Sequence, residues 1–73
     1  MFDPHHYPVM LYWSAEDAAF VVEVPDLPGC LADGATQEEA LANATVVIQE
    51  WLDVAQKLGR PIQAPRHRLQ IAA

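Results

Sequence analysis

Seventy-three residues with a net charge of -6 allow one compact domain and little more, because cores of this size are marginal. A single cysteine, Cys30, excludes an internal disulfide, and His5, His6 and His67 lack the ligand spacing of a zinc site. All ten acidic residues lie between Asp3 and Asp53, while Lys57, Arg60, Arg66 and Arg68 all follow them; an acidic body repels phosphate backbones and suits a basic protein partner.

The N-terminus, MFDPHHYPVM, has neither the basic region nor the apolar run of a secretory signal. No stretch approaches the ~20 apolar residues that span a bilayer. The chain is therefore expected in the cytoplasm. Tyr7–Trp13 is apolar and aromatic and reads as a strand, with Pro8 at its start or on an edge. Ser14–Asp17 is a polar break of hairpin length, so Ala19–Val24 follows as an antiparallel second strand. Its alternation places Phe20, Val22 and Val24 on one face and Val21 and Glu23 on the other.

Pro25-Asp26-Leu27-Pro28-Gly29 cannot continue a ladder and predicts a rigid, exposed turn. Cys30–Asp33 is a short third strand that ends at Gly34. Thr36 followed by Glu39 fits a capping box, and Glu38 and Glu39 suit the positive end of a helix. Leu41, Ala44, Ile48, Trp51, Leu52, Ala55 and Leu58 then recur at three- and four-residue steps as one apolar stripe. Glu50, Asp53, Gln56 and Lys57 fill the solvated arc. Gly59 and Pro61 stop the helix. Arg66–Ile71 is expected as a fourth, edge strand whose charges discourage further pairing.

The order β-β-β-α-β predicts an α+β, two-layer fold: a mainly antiparallel sheet covered on one face by one long helix. One helix cannot cover both faces. If the second face carries Met10, Tyr12 and Val21, or the alternate set, it leaves an apolar patch that favours self-association or a partner.

The segment Phe20–Ala44 resembles the signature of the HicB family of antitoxins. Pro25, Asp26, Leu27, Pro28, Gly29, Cys30, Gly34, Thr36, Glu38, Glu39 and Ala40 match it in order. With the Tyr7–Trp13 strand the similarity covers about two thirds of the chain. The resemblance implies a partial RNase H-like fold and a partner, a small basic mRNA-cleaving toxin of the HicA type, whose active site the antitoxin masks. Family members usually add a C-terminal DNA-binding module; residues 1–73 are expected to form a single HicB-like domain without one.

The expected partner-binding residues are Trp13, Glu23, Asp26 and Leu27. Trp13 offers an aromatic anchor at a strand end. Asp26, held on the turn, and Glu23 beside it can accept hydrogen bonds from a Lys or Arg, although an Asp between prolines also caps its own turn. Cys30 reads as a buried structural thiol, and Trp51 as core. Arg66, His67 and Arg68 fit a solvated edge better than a phosphate site. Asp3, His5 and His6 sit at a terminus expected to fray. No catalytic, metal or cofactor residue is assigned, so the chain is not expected to be an enzyme. Two alternatives remain open: a stand-alone homo-oligomeric binding domain (a dimer or tetramer), or a metal-dependent nuclease using Glu23, Asp26 and Asp33.

Overall fold

The computed structural model describes residues 2–66. A short 3-10 turn at Pro4–His6 precedes three strands, β1 (Met10–Ser14), β2 (Ala19–Glu23) and β3 (Leu31–Gly34), and one helix, α1 (Gln37–Leu58). The strands form an antiparallel sheet of order β1-β2-β3. The architecture is the expected two-layer α+β fold. The proposed fourth strand, Arg66–Ile71, lies outside the described residues except for Arg66.

The first strand begins later than Tyr7. Pro8 donates no N–H, and Tyr7 turns inward as a buried core residue instead of joining the ladder. Its hydroxyl donates to the Gln63 carbonyl oxygen at 2.7 Å. Asp3 caps the preceding turn by accepting from the His5 amide at 2.8 Å. This exposed terminal segment is thus capped by Asp3 and leads into the buried Tyr7.

Strand register decides which side chains meet the helix. Leu11 pairs with Val22 and Val22 with Ala32, while Trp13 pairs with Phe20 and Phe20 with Gly34. These residues share the inner face, because side chains alternate along each strand. The outer face carries Met10, Glu23 and Leu31 in one row and Tyr12, Val21 and Asp33 in the next. The division of β2 into Phe20, Val22 and Val24 against Val21 and Glu23 holds.

Helix α1 starts as its sequence dictates. The Thr36 hydroxyl accepts from the Glu39 amide at 3.1 Å, satisfying one of the unpaired N–H groups of the first turn. At the other end Gly59 adopts φ 68°, and its amide bonds the Ala55 and Gln56 carbonyls. Glycine enters this left-handed region without the Cβ penalty.

The buried helix positions are Ala40, Ala44, Ile48, Leu52 and Ala55. Leu41 and Leu58, expected on this stripe, are instead exposed. Leu41 lies one residue round the helix from Ala40, and Leu58 sits in the last turn. Packing explains the preference for alanine at the start: Ala40 and Ala44 contact Val22, where the helix comes closest to the sheet. Gly34 lies under this contact. A Cβ there would fall 2.5 Å from the Ala40 nitrogen and 2.9 Å from its Cα. Gly34→Ala is expected to cost about 1–3 kcal/mol through forced backbone movement, measured as a lower urea midpoint.

The second half of the helix uses larger residues. Ile48 and Leu52 pack with Tyr7, Val24, Leu27 and Cys30, and Val9, Val47, Trp51 and Ile62 close the margin. Leu27 is completely buried. The turn after β2 is therefore the floor of the larger core cluster.

Candidate partner-binding surface

The turn is stiff by its own hydrogen bonds. Leu27 N–H donates to the Val24 carbonyl, Cys30 N–H to the Leu27 carbonyl, and Val24 N–H to the Cys30 carbonyl, at 3.0–3.1 Å. Trp51 braces it from α1, its indole N–H donating to the Pro28 carbonyl at 3.0 Å. Trp51 is half-buried at the core margin rather than fully enclosed.

Of the four expected contact residues, the structure leaves two on the surface. Trp13 is about half exposed and packs edge-on against Phe20, with ring centroids 5.1 Å apart. Glu23 is partly exposed on the outer face. Leu27 and Asp26, expected on an exposed turn, point inward. Leu27 faces inward because the larger core cluster requires an apolar floor. Asp26 faces inward because a cation meets it there: Arg66 pairs with its carboxylate through Nη2 and Nε, and the Arg66 amide donates to Oδ2 at 3.3 Å. A buried carboxylate needs such a partner. The arrangement replaces the self-capping turn expected of an Asp between prolines.

The three carboxylates considered for metal-assisted hydrolysis do not converge. Asp26 is buried beneath Arg66, while Glu23 and Asp33 stand on different strands of the outer face. Among the described residues no group of three or more His, Cys, Asp or Glu is placed to hold a metal ion. Asp3 engages His5 and His6 at an exposed site, and the His5 amide and ring hold its carboxyl below the usual range.

What remains is an open apolar surface. Met10 and Tyr12 are each 44% exposed and Leu31 is 53% exposed. Val21 lies among them, and Glu23 on β2 and Asp33 on β3 supply negative charge. A shallow depression of about 220 Å³ joins this face to the turn, bounded by Met10, Glu23, Pro25, Pro28 and Leu31. Partial desolvation, then the charge of Glu23 and a hydrogen bond to it, and more weakly Asp17, push the Tyr12 phenol up. Leu31 was not among the residues singled out from sequence. Its signal was alternation: pairing β3 with β2 puts Leu31 opposite Glu23.

Two buried groups make the core alkali-sensitive. Burial pushes the Cys30 thiol above its ordinary 9.0, and burial with the nearby Asp26 charge pushes the Tyr7 phenol above 10.0. Both are neutral in the fold, so unfolding releases protons once pH exceeds those ordinary values. The contribution of these two groups is expected to be constant below pH 9 and to fall as pH rises through 9 and 10, read by urea melts from neutral pH upward. Cys30→Ala should remove the earlier part of the decline.

Residues 7–72 match the family described as HicB_like antitoxin of bacterial toxin-antitoxin system. The UPF0150 protein ssl0259 of Synechocystis sp. is 47% identical over 51 residues, covering 70% of this chain and 68% of that protein. The UPF0150 protein Ta0767 of Thermoplasma acidophilum is 43% identical over 42 residues, or 58% of this chain and 61% of that protein. No solved structure matches significantly. Among the described residues no helix is long and apolar enough to cross a membrane. The match spans nearly the whole chain and includes the three described strands and the helix: this protein belongs to the HicB-like antitoxins of bacterial toxin–antitoxin systems, with an antitoxin-type role.

Proposed function

We propose that this protein neutralises a small basic mRNA-cleaving toxin of the HicA type, in the cytoplasm, by laying the outer face of its sheet over the toxin's active site. The observation that carries this reading is the composition of that face. Met10, Tyr12 and Leu31 expose apolar area beside Glu23 and Asp33, and no Lys or Arg precedes Lys57 in the sequence. Apolar contacts supply the buried centre of an interface, while the acids steer a basic protein and oppose RNA. The mechanism needs no chemistry from this chain: a toxin whose catalytic surface is covered cannot admit its substrate.

Co-expression tests it. The toxin encoded by a short basic reading frame beside this gene should arrest growth alone and permit growth with this protein. Continued arrest with both proteins soluble would sink the proposal.

One observation favours self-association as a second reading. Among the described residues β1 pairs only with β2, and its Met10–Ser14 span contains neither Lys nor Pro to blunt the open edge. Two copies joined along β1 would form a continuous sheet. Light scattering at micromolar concentration distinguishes the cases: a particle near 8.1 kDa leaves only the partner reading.

A further inference from the structure

The Pro25–Gly29 turn carries a second feature that outer-face binding does not use. The Asp26 side chain has no solvent exposure, yet the Arg66 side chain that covers it is 52% exposed. The carboxylate therefore lies one side chain below the surface. Its turn is already held by backbone bonds, so Asp26 is not needed to close it.

The segment supplying Arg66 is lightly held. Residues 60–66 add no strand to the sheet. Ile62 is half-buried against the larger core cluster and Gln63 accepts from Tyr7, but Arg60, Pro61, Gln63, Ala64 and Arg66 are exposed. Segments anchored by a few side-chain contacts open at far lower free energy than a sheet or helix. Opening this strap would deprive the Asp26 carboxylate of its cation and its amide donor, a loss that another cation entering the uncovered site would offset. A guanidinium is the best match, since its planar fork engages both carboxylate oxygens.

We propose that Asp26 is a guanidinium-binding site, occupied in the free protein by Arg66 and available to an arginine of a basic protein partner when the 60–66 strap lifts. The strap is then an autoinhibitory arm, and the partner's arginine competes with it. That the incoming chain is the toxin rests on the proposed function; the receptor itself does not.

Methylguanidinium at millimolar concentration serves as the probe. Arg66→Ala is expected to lower the melting temperature by roughly 5–15 °C. The probe should restore it saturably, by roughly 5–10 °C at ten times its dissociation constant. The Asp26→Asn, Arg66→Ala double variant should not respond, nor should the wild type at the same concentration. If Arg66→Ala does not fold, the probe should refold it, read by circular dichroism. No saturable recovery, or equal recovery in the double variant, overturns the site.

Titration with the toxin tests the occupant. Arg66→Ala should bind at least as tightly as wild type, and the double variant about tenfold more weakly than Arg66→Ala. Equal binding by the two variants would overturn exchange with the partner even where the methylguanidinium result stands. Loss of toxin binding by every form, wild type included, would overturn the toxin as occupant and the proposed function together, leaving the receptor to the melting data.

Discussion

Leu27→Ala is expected to leave only a minor folded population at 25 °C. Leu27 is fully buried and packs with Ile48, Leu52, Tyr7, Val24 and Cys30. Truncating such a leucine costs about 2–5 kcal/mol, the larger values where the surroundings cannot collapse. Collapse is restricted here, because backbone bonds hold the turn and Trp51 ties it to the helix. A core of this size supplies only about 3–5 kcal/mol in total. Loss of helical circular dichroism and of the cooperative urea transition would confirm the result. Leu31→Ala is the control: Leu31 is exposed on the outer face, and its change should stay within about 0.5 kcal/mol. Equal stability of the two variants would contradict the position of the turn beneath α1.

The second large effect concerns recognition. Reversing both acids of the outer face, Glu23→Lys with Asp33→Lys, should abolish growth rescue in co-expression while leaving the melting temperature nearly unchanged. Each substitution replaces an attraction to a basic partner with a repulsion, and like charges facing one another at an interface cost several kcal/mol. Toxin affinity should fall at least a hundredfold, measured by titration calorimetry. The wild-type association rate should also decline steeply with added salt, because steering acts through screened charge. Unimpaired rescue by the reversed protein would move the interface off this face. Glu50→Lys, on the exposed arc of α1, tests whether total charge alone matters and should retain rescue.

The sequence made some parts of the molecule plain and hid others. Helix α1 was legible at both ends because its stops are local: Thr36 reaches Glu39, and Gly59 supplies the left-handed residue after Leu58. The two faces of β2 were equally local, since alternation needs only the period of a strand. Leu41 is misleading because hydrophobicity says nothing of space, and Leu58 because it sits in the exposed last turn. At the close approach above Gly34 the alanines fit, and the leucine beside them does not. The candidate site was legible in part. Met10, Tyr12 and Val21 emerged as a possible open face, and Glu23 followed from alternation, but Leu31 required the β2–β3 register. Asp26 and Leu27 could not be oriented from their own neighbourhood. Prolines fix the backbone of the turn but not which side chains face inward; that depends on Ile48 and Leu52 above it and on Arg66, 40 residues away.

The hydroxyl bond from Tyr7 to Gln63 spans 56 residues, far beyond any contact within a hairpin. Such a closure restricts much of the chain at once and gains its reward only after sheet and helix are in place. It should therefore form late on the way to the native state. Tyr7→Phe would then leave the refolding rate nearly untouched and speed unfolding instead. The bond would behave as a clasp on the finished molecule, setting how long it stays shut rather than how fast it assembles.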